Sequence, residues 1–257
     1  MSPREQPEQQ APPVQRLRIR YAKRGRLRFT SHRDFSRAFE RAVFRARVPM
    51  AYSSGFNPHP RISYAGAAPT GSASEAEFLE IALAETVDPA AIHRSLDEAM
   101  PDGLDVLEVV ESPGGGLADL LEASRWTVDL PATPLAEGER AVARFLATES
   151  VQVERMTKQG RRAFDCREAV TTFAVVGESD PPSGAFAAPC AIIDLVVRQV
   201  TPAVRPDDVL SGLRVVAGLE PPVPPRVTRL AQGTLTAQGE IVDPLDADRE
   251  DAAIGGR

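Results

Sequence analysis

Hydrophobic and polar residues alternate along the first patterned stretch of the chain. Leu17, Ile19 and Tyr21 are separated by arginines, which predicts a β-strand with one apolar and one basic face. The same alternation resumes over residues 26–29, after Gly25. The pattern therefore predicts a hairpin, or a bent strand, with an arginine-lined face.

A helical period follows this predicted hairpin. Ser31, with Asp34 three residues later, has the arrangement of a capping box at a helix start, and Pro49 ends the pattern. Apolar residues at helical spacing predict a buried stripe formed by Phe35, Ala38, Phe39, Ala42, Val43 and Ala46. Arginines recur every fourth residue on another face, at Arg33, Arg37, Arg41 and Arg45.

Further strand and helix patterns extend to residue 111. Strands are predicted at residues 50–53, 75–83 and 104–110, and a helix at 88–100. With the first strand and helix, the order becomes strand, helix, strand, strand, helix, strand. This order is the ferredoxin-like arrangement.

The same order of patterns recurs in the second half of the chain. Its strands are predicted at 125–130, 190–199 and 225–235, its helices at 134–149 and 206–216, and a hairpin at 151–170. We therefore predict an α+β fold of two tandem ferredoxin-like (βαββαβ) units with antiparallel sheets. The predicted parts are a disordered leader over 1–15, a first domain over 16–111, a glycine-rich linker over 112–124, a second domain over 125–242 and a disordered tail over 243–257.

Charge is distributed unevenly along the chain. The whole sequence has a formal net charge of −6, but residues 16–64 carry 13 arginines and lysines against Asp34 and Glu40 alone, a net charge of +11. A block this basic in an acidic chain indicates an anionic partner, such as RNA. The alternative is that the block pairs with the acidic residues of the protein itself.

Composition narrows the class of protein. The sequence has no run of 18 or more apolar residues, so neither a membrane-spanning helix nor a membrane partner is expected. Residues 1–15 lack the apolar segment of a secretory signal. Cys166 and Cys190 are too few for a disulfide framework or an iron–sulfur cluster. We expect a cytoplasmic protein that holds no cofactor.

One short motif occurs twice. Residues 20–29 and 155–164 both read R-x-x-K-x-G-R-x-x-F, and they contain the two lysines of the chain, Lys23 and Lys158. These lysines are interpreted either as phosphate contacts at two hairpin tips or as residues that suit a Lys-x-Gly turn.

The segment AYSSGFNPHPRISYA, residues 51–65, combines a tight turn with several functional side chains. Prolines on both sides restrict the backbone at His59, and the segment also contains Tyr52, Asn57 and Arg61. It is interpreted as a stiff loop that either holds an anionic ligand or forms a rigid corner.

Two kinds of chemistry are open if this loop approaches the start of the first helix. His32, Asp34 and His59 would supply the ligands of a metal site with two histidines and one carboxylate. Alternatively, His32 and His59 would act as general acid and base in RNA cleavage, with Tyr52 assisting. Helix capping explains Asp34 more simply than metal binding does, so no metal is expected.

The chain resembles the radical-SAM-linked protein family, a domain of unknown function, in two long segments, KRGRLRFTSHRDFSRAFERA and PMAYSSGFNPHPRISYAGAAPTGSASEAEFLEI. The resemblance is weaker in RMTKQGRRAFDCRE, RPDDVL and VTRLAQ. The common form of the family has leucine at the positions of Arg33 and Phe35. The resemblance implies an accessory protein encoded beside, or fused to, a radical-SAM enzyme, with a ribonuclease of the E/G class as a further neighbour.

The predicted function is an accessory RNA-binding module, for tRNA or another structured RNA, that acts with a radical-SAM enzyme in RNA modification or processing. The alternatives are a metal-independent endoribonuclease using His32 and His59, and a protein-docking subunit of the radical-SAM enzyme that binds no nucleic acid. The candidate RNA contacts are Arg18, Lys23, Arg26, Arg28, His32, Arg33, Arg37, Arg41, Tyr52, Asn57, His59, Arg61 and Lys158.

Overall fold

A computed structural model describes residues 9–157, 160–179 and 189–249 of the chain. The protein is a mixed α+β structure whose strands pair mostly antiparallel. The chain divides into two compact units. Unit 1 ends at Leu120 and resumes at Pro244, and unit 2 is Leu121–Asp243.

Four strands form the sheet of unit 1: β1 (Gln15–Lys23), β2 (Ile62–Ala65), β3 (Ala73–Leu83) and β4 (Val106–Glu111). They pair antiparallel in the order β4-β1-β3-β2. Because β1 has a partner along both edges, its backbone groups are satisfied on both sides. All of its residues except Arg16 and Arg20 are buried.

Two helices complete unit 1, α1 (His32–Arg45) and α2 (Pro89–Ala99). The predicted cap of α1 is confirmed, because the Ser31 hydroxyl accepts a hydrogen bond from the Asp34 amide at 3.2 Å. The predicted stripe of α1 faces the core, where the Phe35 ring stacks on Tyr21 with 4.3 Å between ring centroids.

The predicted return strand over residues 26–29 is wrong. Gly25–Phe29 is a 3₁₀ turn instead. Both edges of β1 are already occupied by β3 and β4, so no edge remains for a local hairpin partner. Gly25 does reverse the chain as expected, with a φ of +54°.

Unit 2 has the strands β5 (Ala123–Pro131), β6 (Gln152–Thr157), β7 (Gly160–Asp165), β8 (Val170–Ser179), β9 (Cys190–Arg198), β10 (Arg226–Leu235) and β11 (Ile241–Val242). Its helices are α3 (Leu135–Ala147) and α4 (Pro206–Ala217). The strand order is β10-β5-β9-β8, while β6 and β7 form a separate two-stranded hairpin and β11 pairs with β10.

The strand β8 was not predicted. The sequence pattern predicts one hairpin over residues 151–170 and no further strand before the one at 190–199. In the structure β8 lies beside β9, and its register shifts twice, between Val170 and Thr172 and between Val175 and Gly177. These irregularities break the period-two alternation that identifies a strand in a sequence.

Residues 244–249 return to unit 1, which differs from the predicted disordered tail. The Leu245 side chain is fully buried, and the Arg249 guanidinium donates to both Glu108 carboxylate oxygens at 2.5 and 2.7 Å. The remainder of the predicted tail, residues 250–257, lies outside the described residues, as do residues 1–8 of the predicted leader. Among the helices that the structure describes, none is long and apolar enough to cross a membrane.

Candidate anion-binding surface

The basic block over residues 16–64 separates into a paired set and an unpaired set. The paired set lies on and next to β1. Arg16 contacts Glu80 at 2.8 Å and Arg20 contacts Glu108 at 3.3 Å. Arg24 pairs with Glu75 and Asp105, and its hydrogen bond to Glu75 raises its pKa above the ordinary value.

Arg18 is buried at the centre of this paired set. Its side chain is 2% exposed, and its guanidinium donates to both Asp248 carboxylate oxygens at 3.0 Å. It also donates to the carbonyl oxygens of Gly114 and Gly115 at 2.7 and 3.2 Å, and contacts Glu80 at 3.4 Å. Arg18 therefore belongs to the core of unit 1, and the predicted linker over 112–124 contributes to the same core.

Lys23 is buried as well. Its ammonium donates to the carbonyl oxygens of Ala68 and Pro69 at 3.3 and 3.2 Å, so it anchors the loop between β2 and β3. The prediction of a lysine at an exposed hairpin tip is therefore wrong for Lys23. Its counterpart Lys158 lies outside the described residues.

The two copies of the R-x-x-K-x-G-R-x-x-F motif occupy different structural settings. The first copy covers the end of β1 and the 3₁₀ turn, and the second spans β6 and β7. What they share is the glycine, because Gly25 and Gly160 both have positive φ angles, of +54° and +106°. Among the described residues of the two copies, the shared feature is therefore a requirement of the turn.

The unpaired set lies on α1 and on the segments next to it. Arg33, Arg37, Arg41 and Arg45, here called the α1 arginine row, are all exposed. Among the described residues no carboxylate forms an ion pair with any of them. Their Cα atoms follow one another at intervals of about 6 Å along the helix axis. Arg26 is also exposed, beside the start of the helix.

Arg47 extends the row past the end of α1 and was not among the predicted contacts. It has a φ of +54°, in the left-handed region that favours glycine. Its amide donates to the Phe44 carbonyl and the Val48 amide donates to the Val43 carbonyl, both at 3.1 Å, which is the Schellman pattern of a helix end. Non-glycine residues seldom adopt this conformation, although a cation at a helix C-terminus interacts favourably with the helix dipole.

We expect the substitution Arg47→Gly to stabilise the fold and weaken anion binding. Glycine removes the left-handed strain, so the free energy of unfolding should rise by about 1 kcal/mol. Urea unfolding and RNA binding measured on the same sample check both effects. The substitution Arg41→Gly is the comparison, since it removes the same charge from inside the helix and should destabilise it by about 1 kcal/mol.

Four aromatic side chains of unit 1 are exposed. Phe44 is 84% exposed, Phe56 68%, Phe29 59% and Tyr52 43%. At about 100° per residue, Phe44 falls between Arg33 and Arg37 around the axis of α1. The Arg28 guanidinium lies 4.7 Å from the centroid of the Phe29 ring. Phe44 therefore lies on the same face of α1 as the unpaired arginines.

The 51–61 loop is a closed and stiff element. The Ser53 amide donates to the His59 carbonyl at 2.9 Å, and the His59 amide donates to the Ser53 hydroxyl at 3.0 Å. Arg61 braces the loop by donating from its Nε to the Tyr52 carbonyl at 3.1 Å. Asn57 lies at the exposed turn. These contacts agree with a stiff loop, which is common to both interpretations, a ligand-holding loop and a rigid corner.

The contacts described for the two candidate histidines involve different residues. The His32 ring lies edge-on to Tyr64 with 4.9 Å between centroids, whereas the contact of His59 is a hydrogen bond from its backbone amide to the Ser53 hydroxyl. Asp34 faces the Ser31 hydroxyl, which donates to its carboxylate at 2.6 Å. Within the described parts of the chain, no group of three or more His, Cys, Asp or Glu residues is placed to hold a metal ion.

The cysteines offer no nucleophile. Cys166 and Cys190 are both free and buried. Burial raises the pKa of the Cys166 thiol to about 12, so the reactive thiolate is scarce at neutral pH.

Comparison with known families gives one match. Residues 16–206 match a family described as "Uncharacterized protein conserved in bacteria (DUF2344)", and this match covers more than half of the chain. The description names neither an activity nor a partner. No curated protein matches the chain.

Proposed function

The chain belongs to the DUF2344 family of uncharacterized bacterial proteins, and we propose that it is a cytoplasmic accessory protein that binds RNA through the α1 arginine row. One observation carries the proposal. Within a single basic block, the arginines of β1 are paired with carboxylates, whereas those of α1 are exposed and have no acidic partner among the described residues.

The contrast between the two sets supports an external anion. The protein is acidic overall, with 36 Asp and Glu residues against 30 Lys and Arg. Carboxylates are therefore available for internal pairing, and β1 uses them. A helix face that leaves arginines unpaired in such a protein attracts negative charge from outside, and a row of phosphates fits its regular spacing.

The ferredoxin-like assignment of both units belongs to the same proposal. It is supported by the antiparallel orders β4-β1-β3-β2 in unit 1 and β10-β5-β9-β8 in unit 2, with β6 and β7 as an inserted hairpin. In unit 1 the sheet arginine Arg18 is buried. We therefore place the RNA contact on the helix, not on the sheet.

We further propose a radical-SAM enzyme as the partner, with a ribonuclease of the E/G class as a possible third component, and modification or processing of RNA such as tRNA as the joint task. This part rests on the resemblance of residues 16–83 alone. The free cysteines Cys166 and Cys190 are consistent with the proposed cytoplasmic location.

The test is RNA binding measured as a function of salt. RNA that co-purifies with the tagged protein at low salt is sequenced, and its affinity is then measured from 50 to 300 mM salt, chosen to span roughly the physiological range. If the row contacts three or four phosphates of a single strand, the logarithm of the association constant should fall against the logarithm of salt with a slope of about −2 to −3.

Binding that does not change with salt would overturn the proposal. A protein partner that stays bound after nuclease treatment, in the absence of RNA, would support the docking alternative instead. We do not propose ribonuclease activity, because the contacts described for His32 and His59, an edge-on ring contact with Tyr64 and a backbone hydrogen bond to Ser53, give no evidence that the two rings share one site.

A further inference from the structure

The class of nucleic acid follows from the large apolar side chains that are exposed in the unit that carries the α1 arginine row. We propose that the row binds a single strand and that the exposed rings of Phe44 and Phe29 stack on its unpaired bases. This inference rests on the proposed function, since it takes the ligand of the row to be nucleic acid.

The two units differ in the chemistry of their exposed apolar side chains. In the described part of unit 1 the large exposed hydrophobics are, apart from Val14, all aromatic: Phe29, Phe44, Tyr52 and Phe56. In the described part of unit 2 none is aromatic: Leu146, Met156, Val176, Val215, Val223, Leu230 and Val242. Base stacking requires a planar ring, whereas contact with a protein also uses aliphatic groups. The concentration of rings in the unit that carries the α1 arginine row favours nucleic acid.

Phe44 lies within the arginine row itself. The core face of α1 is supplied by Phe35, Phe39 and Val43, so Phe44 takes no part in the core and remains 84% exposed. A phosphate held by Arg37 or Arg41 would place the attached base within reach of this ring. Proteins that bind single-stranded nucleic acid combine basic side chains, which contact the phosphates, with aromatic rings, on which the bases stack.

Phe29 is exposed but held in place. The Arg28 carbonyl accepts a hydrogen bond from the Gly71 amide at 2.8 Å, and the Arg28 guanidinium lies over the ring. A Cβ at Gly71 would lie 3.8 Å from the ring, and the φ of +100° at this position favours glycine. Gly71 therefore places no side chain over the Phe29 ring. The contact with the Arg28 guanidinium holds the ring in position for stacking.

The bases of a duplex cannot stack on the rings of Phe44 and Phe29. Its base faces are covered by neighbouring base pairs, and A-form RNA offers proteins mainly its phosphates and 2′-hydroxyls. The arginine row could contact either form, but Phe44 and Phe29 gain a partner only when bases are unstacked. The rings thus predict a preference for single strands that the arginines alone do not.

The experiment compares one labelled 12-nucleotide RNA as a single strand, the same RNA as a duplex, the corresponding DNA strand, and inorganic polyphosphate. We expect the single strand to bind at least tenfold more tightly than the duplex. The substitutions Phe44→Ala and Phe29→Ala should each weaken single-strand binding roughly 5- to 150-fold, the range measured for loss of one base–aromatic stack. Polyphosphate, which has no bases, should bind these variants and the wild type equally. Val215→Ala, at a 63% exposed apolar residue of α4, is the control and should change nothing.

The outcomes separate this inference from the proposed function. Equal affinity for the single strand and the duplex, with no effect of either phenylalanine variant, overturns the stacking inference. If Arg37→Glu/Arg41→Glu still loses RNA binding in that case, the proposed function is retained. RNA binding that survives the arginine reversal overturns both. Equal affinity for the RNA and DNA strands would show that stacking and phosphate contacts are sufficient for binding. Tighter binding of the RNA strand would indicate a further contact with a 2′-hydroxyl group.

Discussion

Replacement of Arg18 with alanine is expected to lower the free energy of unfolding by about 3–5 kcal/mol, the range seen when one partner of a buried ion pair is removed. The substitution leaves the Asp248 carboxylate, 2% exposed, without its bidentate partner. It also removes the donor to the Gly114 and Gly115 carbonyls. Urea unfolding followed by circular dichroism measures the change.

The control for this prediction is Arg16→Ala. Arg16 lies on the same strand and pairs with Glu80, but its side chain is 45% exposed, and exposed pairs contribute only about 0–1 kcal/mol. A double-mutant cycle with Asp248→Ala should show that the two buried residues are coupled. Equal losses for Arg16→Ala and Arg18→Ala would contradict the assignment of Arg18 to the core.

The reversal Arg37→Glu/Arg41→Glu is expected to weaken RNA binding at least 100-fold at low salt. It replaces two phosphate contacts with two repulsive charges, so the salt slope should also become shallower by more than about 1 unit. The fold should be retained, because both side chains are exposed and neither has an acidic partner in the described structure. Fluorescence anisotropy at several salt concentrations measures affinity and slope together.

The matched control is Arg140→Glu/Arg144→Glu. These arginines are also exposed and four residues apart on a helix, α3 of unit 2. The control changes the net charge of the protein by the same amount, so any difference in RNA affinity between the two variants is due to the position of the substitutions. If both variants lose binding equally, the effect is one of net charge and the α1 arginine row is not the site.

Local patterns in the sequence were sufficient for most elements. The start of α1 was predictable because Ser31 and Asp34 lie three residues apart, as in a capping box. Its buried face was predictable because apolar residues recur at helical spacing within a short stretch of sequence. The strand β9 is apolar apart from Asp194 and Arg198, and β3 places three glutamates among apolar residues. By contrast, β8 was missed because its two register shifts remove the alternation.

The residues of the candidate anion-binding surface were predictable only where the local sequence pattern determines whether a side chain is exposed. Arg33, Arg37 and Arg41 lie opposite the apolar stripe, and the structure leaves them exposed as that pattern predicts. Arg18 and Lys23 were misassigned because their partners, Asp248 and the carbonyls of Ala68 and Pro69, are remote in sequence. Arg47 was missed because a positive φ at a non-glycine residue leaves no trace in the residue order.

The return of the chain to unit 1 at residues 244–249 has a consequence for biosynthesis. Arg18 and Asp248 are 230 positions apart, and a ribosome adding about 5–20 residues per second needs roughly 10–45 s to cover that distance. During this interval every residue of unit 2 has been synthesised, whereas the nascent unit 1 still lacks Asp248, whose carboxylate accepts two hydrogen bonds from Arg18. The inserted unit can thus complete its folding before the unit that surrounds it in sequence, and a ribosome that stalls before residue 248 releases a product whose first unit is unfinished.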